Sequence, residues 1–156
     1  MTETDLSNEI KRALQDQKLV VERTGLSAGT YNPKIRYDYM RLESHTTVLG
    51  LPDVNLCVED LDKDSDTQCA TEIWLELKIG SETPRPLQIS WARRRWELGQ
   101  HNIYCIRGYQ TMNREVAAFV EPMNIYWAEY KPLPSMVMTL DRLAYFLLTG
   151  EEYRDK

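Results

Sequence analysis

Strict alternation of apolar and polar positions marks the middle of the chain. Val54, Leu56 and Val58 alternate with Asn55 and Cys57, and Ile73, Leu75, Leu77 and Ile79 alternate with Glu72, Trp74, Glu76 and Lys78. Successive side chains of a strand leave opposite faces, so both segments predict half-buried strands. The acidic run between them, residues 59–70 (EDLDKDSDTQCA), predicts the solvated connection of a β-hairpin. On the second strand the aliphatic side chains take one face. Two glutamates, a lysine and a tryptophan take the other.

Helical spacing brackets this centre. Leu6, Ile10, Ala13 and Leu14 predict a first helix over residues 5–20, capped by Asp5 or Ser7. Residues 21–34 carry Gly25, Gly29 and Pro33 and read as loop or irregular edge. Residues 35–42 fit a strand or a short helix, with Tyr37 and Tyr39 favouring strand. GSETPRP at 80–86 breaks the charged strand, and a helix follows from Leu87 to Leu98, stopped by Gly99. Gln88 and Trp91 fall three apart on one side of it. Residues 102–108 predict another strand. Residues 115–120 fit helix or strand, and 121–135, with three prolines, a loop or short strand. A last helix spans 139–149, capped by Thr139 and ended by Gly150. No repeat or linker divides the chain. The expected fold is a single α/β domain over 1–156, with a mixed central sheet flanked by helices.

Composition narrows the chemistry. A chain of 156 residues can bury a core of its own. A net charge of −5 and a pI of about 5.1 exclude a protein that coats nucleic acid through bulk charge. A local basic patch remains compatible with that total. Cys57, Cys69 and Cys105 lack metal-cluster or disulfide-framework spacing and suggest a reducing compartment. His45 and His101 are the only histidines, so a site metal must rest on carboxylates. No apolar run resembles a signal peptide or reaches membrane-spanning length, and a soluble cytoplasmic protein is expected.

Glu76 and Lys78 lie two apart on one strand and share a face. Asp53 follows Pro52 at the start of the preceding strand. Pairing of the two strands would bring its carboxylate toward that of Glu76, with the Leu77 carbonyl between them. Such a hard, oxygen-rich set suits Mg²⁺, with Mn²⁺ as a substitute. A cation there would lower the pKa of an attacking water and offset charge at a phosphoryl centre. A lysine beside two carboxylates holds its proton. Lys78 is therefore expected to orient water and stabilise negative charge rather than act as a base. Alternating charges on a strand usually mean no more than a wet face. Here the pairing with GLPDVN at hairpin distance, and with a glutamine-bearing helix beyond, singles the triplet out.

The block GLPDVNLCV, EIWLELKI and RPLQISWARRRWELGQHNIYCI resembles the PD-(D/E)xK nuclease superfamily. Within it, the chain is similar to the virus-type replication-repair branch and to phage and archaeal Holliday junction resolvases. The likeness covers residues 43–108 and leaves 109–156 as an extension without a counterpart. It implies a three-layer αβα, restriction-endonuclease-like core. It also implies Mg²⁺-dependent hydrolysis of DNA phosphodiester bonds, with branched DNA in phage replication, recombination or repair as a substrate class. Asp53 and Glu76 would be the metal carboxylates, Lys78 the catalytic lysine, and Gln88 a glutamine near metal or DNA. An upstream glutamate often completes such sites; Glu9 on the first helix is the best candidate and Glu43 its rival. The acidic total departs from many members of the branch. Glu59, Asp60, Asp62, Asp64 and Asp66 would repel a DNA backbone unless their loop points away or acts as a guard.

Arg93, Arg94 and Arg95, with Arg85 before them and Arg107 after, form the densest positive segment. Three consecutive helical residues spread over more than half the circumference, so one or two would meet DNA while the others pair with surface acids. Lys34, Arg36 and Arg41 interleave with Tyr37 and Tyr39 and add candidate DNA contacts. Trp74, Trp91 and Trp96 suit base stacking, but packing of helix on sheet is the stronger expectation. His45 reads as a turn histidine and His101 as solvent-facing. The last helix is apolar on more than one side. It is expected to cover the core or to bind a second copy, which would set two cleavage centres at a fixed separation. A non-catalytic DNA-binding or protein-interaction module on the same fold is the alternative.

Overall fold

The computed structural model describes residues 1–17, 35–42, 50–60, 71–127 and 136–150. Six strands lie in one sheet in chain order: β1 (Ile35–Arg41), β2 (Val54–Asp60), β3 (Thr71–Ile79), β4 (Ile103–Gln110), β5 (Val116–Pro122) and β6 (Met136–Thr139). Every neighbouring pair is antiparallel except β3 and β4, which run parallel. A parallel pair needs a crossover, and helix α2 (Pro86–Glu97) supplies it. Helices α1 (Glu3–Gln15) and α3 (Leu140–Thr149) pack together on the sheet face opposite α2. The expected mixed α/β architecture, compatible with three αβα layers, is the one observed.

The alternation read from the sequence sorts the two faces. Val54, Leu56, Val58, Ile73, Leu75, Leu77 and Ile106 turn toward α1 and α3, where they bury Leu6, Ile10, Leu14, Leu143 and Leu147. Trp74, Ile103 and Cys105 turn the other way, under Trp91 and Ala92 of α2 and Met123 of a short 3-10 turn, Met123–Tyr126. Trp74 meets Trp91 edge to face at 5.2 Å, so these two indoles pack the layer together. Trp96 lies further out, stacked on the exposed His101 at 4.2 Å. Among the described residues, the large apolar side chains left exposed are Met1, Met40, Leu87, Leu98, Met112 and Val137. None belongs to α3, whose apolar side chains are taken up by the core.

The first helix starts earlier than its apolar spacing suggests. Thr2 caps it: the Thr2 hydroxyl accepts from the Asp5 backbone N–H at 3.1 Å, and the Asp5 carboxylate accepts from the Thr2 N–H at 2.8 Å. Asp5 is thus the third helical residue of a reciprocal capping box, not the cap. Ser7 is buried, with its hydroxyl 2.8 Å from that of Tyr39. The described helix ends at Gln15, with Asp16 as its cap. Residues 35–41 and 116–122 both resolve as strands. β6 carries too short a pattern, four residues, to be read from alternation. The last helix has its expected Thr139 cap and ends at Gly150. The readings of residues 21–34 and of the hairpin connection 61–70 lie outside the described residues.

Two glycines let the elements close on one another. Gly108 of β4 lies beneath Leu6, where an added Cβ would come within 2.7 Å of a Leu6 methyl. Gly50, at φ +95°, lies so close to the Leu87 carbonyl that a Cβ would collide with it. The first permits α1 to dock on the sheet. The second permits the turn before Asp53 to rest on the first turn of α2.

Candidate active site

The β2–β3 register, Val54 opposite Leu75, extends to place Asp53 opposite Glu76. The Asp53 carboxylate takes over where the ladder stops, accepting the Leu77 backbone N–H at 2.8 Å. Glu76 lies on the same sheet face, 1% exposed. Its Oε1 accepts two donors, Lys78 Nζ at 3.0 Å and Gln88 Nε2 at 2.6 Å. The Gln88 Oε1 in turn accepts the Arg85 backbone N–H at 2.8 Å. This fixes the amide's orientation and ties the first turn of α2 to the centre of β3. Asp53, Glu76, Lys78 and Gln88, four residues proposed from sequence, thus converge at the carboxyl end of β3. That is where α/β sheets commonly bind ligands.

The electrostatics of this point are unbalanced. Glu76 Oε2 is buried and has no hydrogen-bond partner among the described residues. Burial, then the Asp53 charge, push the Glu76 pKa up to about 8 against the pull of Lys78. Burial lowers the Lys78 pKa, but Glu76, Glu3 and Asp53 outweigh it and leave the ammonium held above its ordinary value. A buried carboxylate oxygen with no donor, beside a second carboxylate, is costly unless a cation or a proton joins them.

On the first helix it is Glu3, rather than Glu9, that lies near these side chains. Glu3 stands in the first turn of α1 and feels the charges of both Asp53 and Lys78. Its carboxyl meets that of Glu82, and its pKa is raised first by burial and then by Asp53. Arg41 Nη1 reaches the Glu3 carbonyl at 3.4 Å. Glu9 lies six residues along the same helix, roughly 9 Å further on, where it pairs with Arg12 at 3.1 Å. The capping signal Thr2-x-x-Asp5 was present in the sequence and would have placed Glu3 inside the helix. Glu82 carried no comparable signal. Glu43, Lys34 and His45 lie outside the described residues.

The expected basic contacts divide. Arg41 sits at the site end of β1, where the Leu42 N–H meets the Asp53 carbonyl at 2.7 Å. Arg85 is exposed at the start of α2. Arg36 lies at the far end of β1 and pairs with Glu59 at 2.9 Å. Arg93, Arg94 and Arg95 occupy the last turns of α2, away from Glu76. Arg93 pairs with Glu97 at 3.3 Å, and Arg95 lies over the Trp91 ring at 5.1 Å.

Among the described residues no three carboxylate, imidazole or thiol side chains gather as a ready metal cage. Mg²⁺ does not require one: it keeps several waters and takes one or two carboxylates together with phosphate oxygens. Asp53 and the unpartnered oxygen of Glu76 fit that demand. No helix among the described residues is long and apolar enough to cross a membrane. Comparison with protein-family models, with curated proteins and with solved structures finds no match to this chain.

Proposed function

We propose that this chain is a divalent-cation-dependent endodeoxyribonuclease of the PD-(D/E)xK type, hydrolysing phosphodiester bonds in DNA. The observation that carries the reading is the buried, donorless Oε2 of Glu76 beside the Asp53 carboxylate. Without a cation Glu76 is driven to keep its proton; with both carboxylates ionised, the position calls for a cation. The lysine on Oε1 leaves the other oxygen available for it. The order of elements, a helix, three antiparallel strands, a crossover helix and a parallel strand, supports the same reading.

Asp53 and Glu76 would hold Mg²⁺ or Mn²⁺, with the Leu77 carbonyl. Bound there, the cation would polarise a phosphate and lower the pKa of an attacking water. Lys78 stays protonated and places its charge beside the reacting phosphate, where it offsets developing negative charge and orients water. Gln88 keeps Glu76 in place from the α2 side. Glu3 adds a carboxylate at the mouth, and Arg41 and Arg85 are the basic side chains placed to meet flanking phosphates. Branched DNA in phage replication, recombination or repair is the substrate class suggested by the resemblance. A homodimer through α3 adds nothing to this reading: among the described residues that helix leaves no large apolar side chain exposed.

The test is a cleavage screen of purified protein and Asp53→Asn over junctions, flaps, single strands and linear duplex, with Mg²⁺ or Mn²⁺. Cation-dependent cleavage that falls to background in the variant is expected. Equal cleavage by both proteins overturns the reading. DNA binding without turnover by the unaltered protein puts a non-catalytic binding module in its place.

A further inference from the structure

Arg107 lies opposite Lys78 in the parallel β3–β4 register, on the sheet face that carries Glu76. Two cations on adjacent strands would be expected to compete for that buried carboxylate. They do not, because Arg107 is drawn the other way. Its Nη2 lies 3.6 Å from Glu121 and 3.5 Å from the Tyr126 hydroxyl, and that hydroxyl donates to the same glutamate. Its Nη1 donates to the Gly80 carbonyl at 2.7 Å and to the Glu82 carbonyl. One guanidinium thus joins a carboxylate on β5, a tyrosine on the 3-10 turn and two carbonyls of the turn that leaves β3.

That turn matters to the site. It connects Lys78 to the start of α2, so it sets the distance between the strand bearing Glu76 and the helix whose Gln88 holds it. It also carries Glu82, whose carboxyl meets that of Glu3. Resting on the nuclease reading above, we propose that Arg107 is a positioning residue for the cation site. Held by Glu121 and Tyr126, it pins residues 80–82 so that Glu76, Gln88 and the Glu3–Glu82 pair keep their places around Asp53. The planar fork is essential: a lysine carries one nitrogen and cannot span two carbonyls and a carboxylate.

The experiment is Mn²⁺ binding to the 156-residue chain without DNA, read from the free-ion electron paramagnetic resonance signal. Circular dichroism and melting temperature serve as controls for folding. Arg107→Gln is expected to bind Mn²⁺ about tenfold or more weakly, the usual cost of losing a group that orients metal ligands. Arg107→Lys should not restore affinity, and Tyr126→Phe, which removes only the hydroxyl, should give a smaller loss in the same direction. Unchanged affinity in folded Arg107→Gln, or full recovery with lysine, overturns the proposal. If Arg107→Gln does not fold, unchanged affinity in folded Tyr126→Phe overturns it. No Mn²⁺ binding by the unaltered protein sinks the reading of the site itself, and this inference with it.

Discussion

Glu76 bears the main conflict in the molecule, and its consequences can be measured as stability. Its pKa, raised from 4.5 to about 8, means that the folded protein holds a proton there more tightly than the unfolded chain does. The stabilisation from that proton is complete below the unfolded value and fades as pH rises from 4.5 to 8. Glu3, also raised, acts in the same direction. In the absence of divalent cation, the melting temperature is therefore expected to fall between pH 5 and pH 8 if other titrations contribute little. Asp53→Asn removes the like charge while its amide oxygen can still accept the Leu77 N–H. At pH 8 it should be more stable than the parent by on the order of 1 kcal/mol, since one pKa unit is worth about that much. At pH 5 the difference should shrink. Denaturant unfolding at the two pH values checks this. A variant equally stable or weaker at both would mean that the carboxylates do not repel.

At the level of elements, the site depends on how closely α1 approaches the sheet. Leu6 lies directly over Gly108, and Glu3 stands three residues before it on the same helix. Gly108→Val would force Leu6 outward. Overpacking of this kind typically costs about 1–3 kcal/mol. The same displacement should carry Glu3 away from Asp53. The expected result is a lower melting temperature together with weaker Mg²⁺ binding by calorimetry. Loss of stability with affinity unchanged would separate Glu3 from the cation site. A second link between helices is the Gln17 amide, which donates to the Asp141 carboxylate at 2.7 Å and joins α1 to the start of α3. With α1 also packed on α3, a perturbation at Gly108 should be felt at the mouth of the site.

For the whole molecule, the net charge of −5 and the acidic mouth predict that a cation bound as proposed would be stabilising. A ligand that binds only the folded state at a hundred times its Kd contributes about 2.7 kcal/mol. For a chain of this size that corresponds to a rise in melting temperature of roughly 5–10 °C. Saturating Mg²⁺ should produce such a rise at pH 8 and little of it in Asp53→Asn. The same rise in the variant would place the stabilising cation elsewhere. On the proposed reading, DNA would be held through a bound cation and a few arginines, not through a broad basic surface.

The periodicity along the chain was enough for the central strands, the three helices and the shared face of Glu76 and Lys78 opposite Asp53, while Gln88 entered through the family resemblance. Period-two alternation fixes which side chains share a face, and a hairpin aligns neighbours by register. A capping box at residues 2–5 was also legible and, read in full, would have placed Glu3 in the first turn of the helix. Other features had no local signature. β6 is four residues long, and its strand character comes from pairing with β5. Glu82 reaches the site because a turn is pinned by Arg107, whose partners lie on β5 and beyond. The basic residues looked alike in sequence, yet Arg41 stands at the site while Arg36, two turns of pleat away, is paired elsewhere. Local pattern decides which face a side chain leaves. Only the packing of distant segments decides what it meets there, because that choice depends on contacts the chain makes across the fold.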